Sequence, residues 1–262
     1  MPKSIWRFLL VLITLLFSGM IFTPADDFRK VENKAFKVGE KLTFDVKYGF
    51  VTAGIATFNI PKIKRISGRN AYHITFEVNT VPSFDWIYKV RDRYETYLDT
   101  EGLFPWRFEQ HIREGSYSRD FSAFFDQRKG KAKTSEGEYD IPKYVNDIVS
   151  AFYLARTFDY SNLKVEDKFH LKNFYKNKVY ELDVKYHGKE TVEVPAGKFD
   201  CVVVEPLVQE GGLFKSEGSI LVWMTDDDLK LPVKVKTKVI IGAIDGELTG
   251  YEGLAGKLTS KR

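Results

Sequence analysis

The sequence predicts a mainly β fold, a curled antiparallel sheet or an open barrel or sandwich, with one central covering helix over about residues 146–157. Three observations lead there. Apolar residues recur at a period of two along most of the chain, turn-forming residues interrupt that period at intervals of about 10 positions, and a single segment carries helical spacing. Parallel βαβ units need helical crossovers between strands, and the pattern for those is missing.

The N-terminal stretch stands apart from that fold. Lys3 and Arg7 form a short positive region, an apolar run follows from Phe8 to Phe17, Thr23-Pro24-Ala25 offers small residues, and Asp26-Asp27 come next. That order marks residues 1–25 as a secretory signal peptide cleaved near Ala25. Its apolar core of about 15 residues falls short of the roughly 20 that span a bilayer, although a retained anchor is the alternative. With no cysteine near the cleavage position, the mature chain is not expected to be lipid-anchored.

Residues 26–262 are expected to fold as a single antiparallel β domain, with a soft boundary near 128–145. Leu42, Phe44, Val46 and Tyr48 alternate with polar residues; Ile55 to Ile60 return, closed by Pro61; Tyr72, Ile74, Phe76 and Val78 alternate again. Further strands are expected at Tyr88–Leu98, Phe104–Ile112, Tyr117–Phe125, Phe169–Phe174, Val179–Tyr186, Thr191–Val194, Phe199–Val204, Ser219–Met224, Val233–Ile241 and Glu247–Tyr251. Gly68-Arg69-Asn70, Glu101-Gly102, Glu114-Gly115-Ser116, Pro195-Ala196-Gly197 and Gly211-Gly212 separate them. In the exception, Ile148, Ala151, Phe152 and Ala155 share one helical face, and Asn146 or Asp147 can cap the helix.

At 44% hydrophobic and 15% aromatic residues the chain can build a substantial core, which excludes global disorder. Without Lys3 and Arg7 the charge balance is 38 basic to 36 acidic residues, so no nucleic-acid partner is expected. Cys201 is the only cysteine; its apolar neighbours place it in the core and it can form no intramolecular disulfide. The sequence holds no phosphate-binding glycine loop, dinucleotide fingerprint or Gly-x-Ser-x-Gly elbow, so no cofactor and no catalytic residue are expected. His73, His111, His170 and His187 lie far apart and fit no helical metal-ligand spacing, and Asp226-Asp227-Asp228 reads as a turn. Arg91, Arg93, Glu95 and Tyr97 share one strand face, either an arginine-lined cleft or, more simply, a solvated face laced with ion pairs.

Several segments in order resemble a known family. They are Gly39-Glu40-Lys41-Leu42-Thr43-Phe44-Asp45-Val46, Gly54-Ile55-Ala56, and Arg91-Asp92-Arg93-Tyr94-Glu95-Thr96-Tyr97 with Gly102-Leu103-Phe104-Pro105. The run Asp147 to Arg156, then Val194-Pro195-Ala196-Gly197-Lys198-Phe199-Asp200, and Val222-Trp223-Met224-Thr225-Asp226-Asp227 leading to Leu231-Pro232-Val233, complete the set. The chain thereby resembles the domain of unknown function 3108 family, exported proteins of Gram-negative bacteria. The resemblance implies a periplasmic location and a curled sheet with a covering helix, and carries no catalytic residue across.

Export, aromatic surplus and a single covering helix together point to a non-enzymatic binding module for a hydrophobic envelope component, a lipid, acyl chain or lipoprotein. The expected cavity is lined by Phe44, Phe76, Trp106 and Phe108, with Arg91 and Arg93 near its mouth. The alternative is a structural protein that docks an envelope protein partner through sheet edges.

Overall fold

The computed structural model describes residues 28–208, 220–238 and 243–262. The expected signal peptide and the Gly211-Gly212 turn lie outside the described residues. The first eight strands are β1 (Lys41–Tyr48), β2 (Val51–Ile66), β3 (Arg69–Thr80), β4 (Arg91–Asp99), β5 (Pro105–Glu114), β6 (Tyr117–Asp126), β7 (Lys131–Thr134) and β8 (Gly137–Asp140). Helix α1 (Ile148–Ala155) follows, then β9 (Lys168–Tyr175), β10 (Lys178–Val194), β11 (Gly197–Val208), β12 (Ile220–Thr225), β13 (Pro232–Lys238) and β14 (Ala243–Glu252).

The fourteen strands among the described residues belong to one antiparallel sheet, in the order β8-β7-β6-β5-β4-β3-β2-β1-β14-β13-β12-β11-β10-β9. The chain steps outward from β1 to one edge, crosses with α1 to the other edge, and steps back until β14 pairs with β1. The sheet curls without closing into a barrel. Phe125 of β6 meets Phe174 of β9 with ring centroids 5.7 Å apart, and Asn177 contacts Thr134 and Glu136 across the gap.

Local chemistry accounts for where the strands depart from the sequence pattern. Pro61 was expected to end β2, but the strand runs on to Ile66, with its register shifted between Asn59 and Lys62. Proline has no N–H to give a ladder, and a bulge is where a strand tolerates it. The expected strands Val179–Tyr186 and Thr191–Val194 are one strand, β10, bulged between Tyr186 and Gly188. β4 starts at Arg91, not Tyr88, because the preceding residues turn: Phe84 N donates to Val81 O (2.8 Å), and Ile87 N and Tyr88 N to Phe84 O (2.9 and 3.1 Å). The polar stretch after Arg128 forms the short hairpin β7–β8 within the same sheet.

Helix α1 is fixed at both ends. Asp147 is its N-cap, with Oδ1 accepting from Val149 N (2.8 Å) and Ser150 N (2.9 Å), while Asp147 N donates to Ser150 Oγ (2.8 Å). This reciprocal box satisfies donors that a helix start leaves open. Asp147 Oδ2 accepts from the Thr96 hydroxyl of β4 (2.7 Å), and Asn146 exchanges backbone bonds with β9, its N to Lys172 O (2.8 Å) and Phe174 N to its O (2.7 Å). At the other end Arg156, fully buried, forks onto buried Glu40 through Nη1 (2.6 Å) and Nη2 (2.9 Å). Nη2 also donates to Ala35 O (3.1 Å) and Leu229 O (3.2 Å), and the guanidinium lies over the Phe36 and Tyr153 rings. The segment before β1, the helix and the β12–β13 turn therefore converge on one cation. Burial works against its charge, the Glu40 carboxylate outweighs burial, and the pKa ends above the usual arginine value.

The termini close that same end of the sheet. Gly253 (φ +65°) passes so near Gly39 that a Cβ there would sit 1.9 Å from the Gly39 carbonyl oxygen, which requires glycine on both counts. Asp227 Oδ2 holds the tail, accepting from Thr259 N (3.1 Å), Ser260 N (3.2 Å) and Ser260 Oγ (2.8 Å). The expected Asp226-Asp227-Asp228 turn is thus a clamp for the C-terminal segment.

Arg156→Met should cost about 3–5 kcal/mol in urea unfolding, since it strands the buried Glu40 carboxylate. Adding Glu40→Met should recover part of that loss, and additive costs would contradict the pairing argument. Burial raises Asp147 from its ordinary 3.8 to about 6, against the opposing hydrogen bonds from Thr96, Ser150 and Val149. The native state then holds the extra proton between those values, so this group's contribution to stability falls as pH rises through the window, by ~3 kcal/mol. Asp147→Asn keeps a capping side chain and removes that slope. Its unfolding free energy should gain on the parent between pH 4 and pH 7, and parallel profiles would refute the assignment.

Candidate functional site

Strand parity and a deficit of bulk define the interior. On β1, Phe44 and Val46 point inward while Asp45 and Lys47 point out; Ala56 and Phe58 continue the inner face on β2, and Phe76 and Val78 on β3. Leu182, Val184, Val204, Val222 and Val235 face them from the other half of the sheet. α1 adds Ile148, Ala151, Phe152 and Ala155, the face its spacing predicted. Between these walls lies a cavity of about 560 Å³.

The size decides what kind of feature this is. The cavity is open at one end, and its volume falls within the range of small-molecule sites. Among the described residues no charged side chain lies on its wall; the polar ones are Thr80, Tyr94, Asn173 and Thr237. Burial pushes the Tyr94 hydroxyl up to about 12, so it stays neutral. The described wall is apolar apart from these few neutral groups.

The mouth is identified by partial exposure. Among the described residues, Val46, Ala53, Thr80, Pro206 and Ile244 line the cavity yet keep contact with solvent, all at the same end of their strands, with Val90 just before β4 beside them. The opposite end is the one closed by Arg156, Glu40 and the two terminal segments.

The six residues expected at the site do not lie together. Phe44 and Phe76 stand on the cavity wall, and Phe76 stacks on Phe58 at 4.2 Å. Phe108 and Trp106 do not. Phe108 packs one layer further along the sheet, against Phe121 and Tyr94. Trp106 points to the other face of β5, with Phe28 and Phe104. There its Nε1 donates to buried Asp99 (3.0 Å), which also receives Arg69 through two bonds (2.6 and 2.9 Å) and Gly102 N (2.7 Å). Burial opposes the Asp99 charge, but these donors prevail and hold its pKa below the usual range. Arg91 sits by the mouth, where it binds Asp85 (2.6 and 3.0 Å) and the Thr80 carbonyl (3.2 Å). Arg93 lies on the outer face, paired with Glu95 (2.8 Å) and Glu77 (3.4 Å).

The outer face of β3 to β6 carries the charge ladder that the arginine alternation allowed as the simpler reading. Glu95 stands directly opposite Glu109, an unfavourable pairing offset by Arg93 on one side and Arg107 (2.7 Å) on the other. His73 bonds Glu95, and His111 Nδ1 bonds Asp120 (2.7 Å). Glu95, Glu109 and His111 bring one ligand atom each within 4.8 Å of one another, so they are the described residues able to approach a metal ion. The flanking arginines already occupy both carboxylates there. His170 and His187 likewise each meet one carboxylate, Asp183 and Glu205, both at 2.7 Å. Cys201 is fully buried, and burial pushes its thiol up to about 12, an inert state.

Sequence reasoning missed the second-half wall, Val184, Val204, Val222 and Val235. Their strands alternate clearly, but nothing in the pattern says which face looks at space and which at a packed core.

The sequence matches no curated protein. Among solved structures, the fold is similar to a beta-barrel-like protein of the domain of unknown function DUF1849 from Brucella abortus. That likeness has a TM-score of 0.52 at 10% identity and covers 82% of this chain and 97% of that one. It is similar more loosely to the hypothetical protein CT021 from Chlamydia trachomatis, at TM-score 0.37 and 7% identity, over 86% of this chain and 92% of the other. Residues 43–249 match the family described as protein of unknown function (DUF3108), a span that takes in most of β1 and most of β14 with everything between, so the chain belongs to that family.

Proposed function

We infer that this is an exported, non-enzymatic protein of the cell envelope that holds a hydrophobic ligand, the acyl chain of a lipid or lipoprotein, inside the curled sheet. The observation that carries the reading is the uncharged cavity of about 560 Å³ with its mouth at one end. A wall of valines, phenylalanines and alanines gains from covering methylene groups and has nothing to offer a charged head group, which must remain at the mouth. Export rests on the N-terminal order of Lys3 and Arg7, the apolar run to Phe17, and the small residues before Asp26.

Docking a protein through the sheet edges draws less support. β8 has four residues, Asn146 covers part of β9, and charged residues stud both edges, as is usual where edge pairing is blocked.

Native mass spectrometry of the protein purified from its exporting cell, followed by organic extraction, should reveal a stoichiometric acyl-bearing lipid. A fluorescent fatty acid should compete with it. Ala56→Phe and Ala151→Phe put bulk into the cavity and should weaken fatty-acid binding about tenfold or more while leaving the unfolding midpoint within a few tenths of molar urea. A protein that is bare as isolated and takes up no fatty acid would overturn the reading.

A further inference from the structure

We propose that the mouth of the cavity is a membrane-docking surface, on which the β1–β2 turn and the β3–β4 loop seat in the interface of a phospholipid bilayer. Large apolar side chains that a folded protein normally hides are collected there. Phe50, at the tip of the β1–β2 turn, is fully exposed; Trp86 is 81% exposed; Ile87 and Tyr88 are more than half exposed. Tyr48 and Val51 flank Phe50, and Ile244 lies across from Tyr48 on β14. Scattered single exposures need no explanation, but a contiguous set does.

Backbone contacts make the set contiguous. Val81 N donates to Ala53 O (3.0 Å), which lays the start of the β3–β4 loop beside the β1–β2 turn. Gly115 N donates to Lys89 O (2.8 Å), which joins the far side of that loop to the β5–β6 turn, where Tyr117 is exposed. The rim is also built to hold its shape. Asp85 accepts from the Thr80 hydroxyl (2.6 Å) and from both terminal nitrogens of Arg91, so the loop presenting Trp86 is pinned at its base. Arg91, expected near the mouth, is the fastening of the aromatic tip.

Chemistry and position select a bilayer as the occupant. Tryptophan and tyrosine, with an apolar body and a polar edge, favour the head-group level of a membrane, and exposed Lys89 beside them can reach lipid phosphates. Thr80 and Val90, which bracket this loop, are themselves on the cavity wall, so the rim and the interior are continuous. The occupant also follows from the proposed function, on which this step of the argument rests. An acyl chain resides in bilayers, the far end of the sheet is shut, and transfer without crossing water requires the mouth to meet the membrane.

The test is flotation of the full-length protein, as processed by the cell, with vesicles of phosphatidylethanolamine and phosphatidylglycerol. The parent should float, and Phe50→Ser with Trp86→Ser should weaken partition about a hundredfold, the scale for withdrawing two large side chains from an apolar contact. Once the chain is cleaved near Ala25 and Trp6 is gone, vesicles should shift the tryptophan emission of the parent to the blue and leave Trp86→Phe unchanged, because Trp106 and Trp223 are buried. Fatty-acid uptake from solution should be the same in parent and double variant. A parent that stays with the aqueous layer, a double variant that floats equally well, or a Trp86 shielded only by a protein partner each overturns the proposal. Flotation without fatty-acid uptake would uphold docking and overturn the cavity reading instead.

Discussion

The Glu40–Arg156 ion pair sits where the fold has least help from strand pairing. A sheet whose two edge strands share no ladder needs another means of holding its curl, and the helix between those edges supplies it. The helix stays in place because its first turn is bonded to β4 and β9 and its last residue is a buried cation with a single carboxylate partner. Both charges lie fully out of water, an expensive arrangement worth keeping only when geometry matters more than net stability. Here it joins four stretches far apart in sequence: the approach to β1, the helix end, the β12–β13 turn and, through Asp227, the C-terminal tail.

That fastening explains how a cavity survives inside a hydrophobic interior. Left to itself, an apolar enclosure of this size collapses or fills with its own side chains. The covering helix cannot sink further, because its capping box and its terminal arginine are each spent on fixed partners. Its inward face carries Ala151 and Ala155 beside Ile148 and Phe152, so half of that face is short. Bulk is concentrated instead on the flank, where Phe36, Tyr153, Leu154 and Phe125 form a packed core. The molecule thus divides into a solid end, a hollow middle and an aromatic rim.

Much of the architecture was legible in the residues. Alternation located most strands, and the inward helical face and the Asp147 cap followed from spacing and residue type. The Pro61 bulge and the continuous β10 were not, because proline and glycine read as stops unless the neighbouring strand is known to tolerate an extra residue. The cavity was legible only in part. Phe44 and Phe76 belong to the strands beside its wall, whereas Phe108 and Trp106 have the same alternation and face a packed layer and an outer cluster. Period two gives the side of a strand and is silent on how far a curved sheet stands from its opposite wall. Glu40 and Arg156 both lie within the family-like segments, yet a pair 116 residues apart leaves no local trace.

The position of β14 beside β1 has a consequence for how the protein comes into being. Lys47 and Glu247, bonded across that junction, are 200 residues apart, so the seam at the middle of the sheet joins the beginning of the chain to its end. A chain made from the N-terminus forward can zip β1 to β8 by successive hairpins, but the free side of β1 must wait for the last strand to arrive. Closing so long a loop is slow, and an unpaired central strand is sticky while it waits. The outward side chains of β1, Lys41, Asp45 and Lys47 among them, put charge along that strand during the interval, so the polar face of the finished sheet is also the guard of the unfinished one.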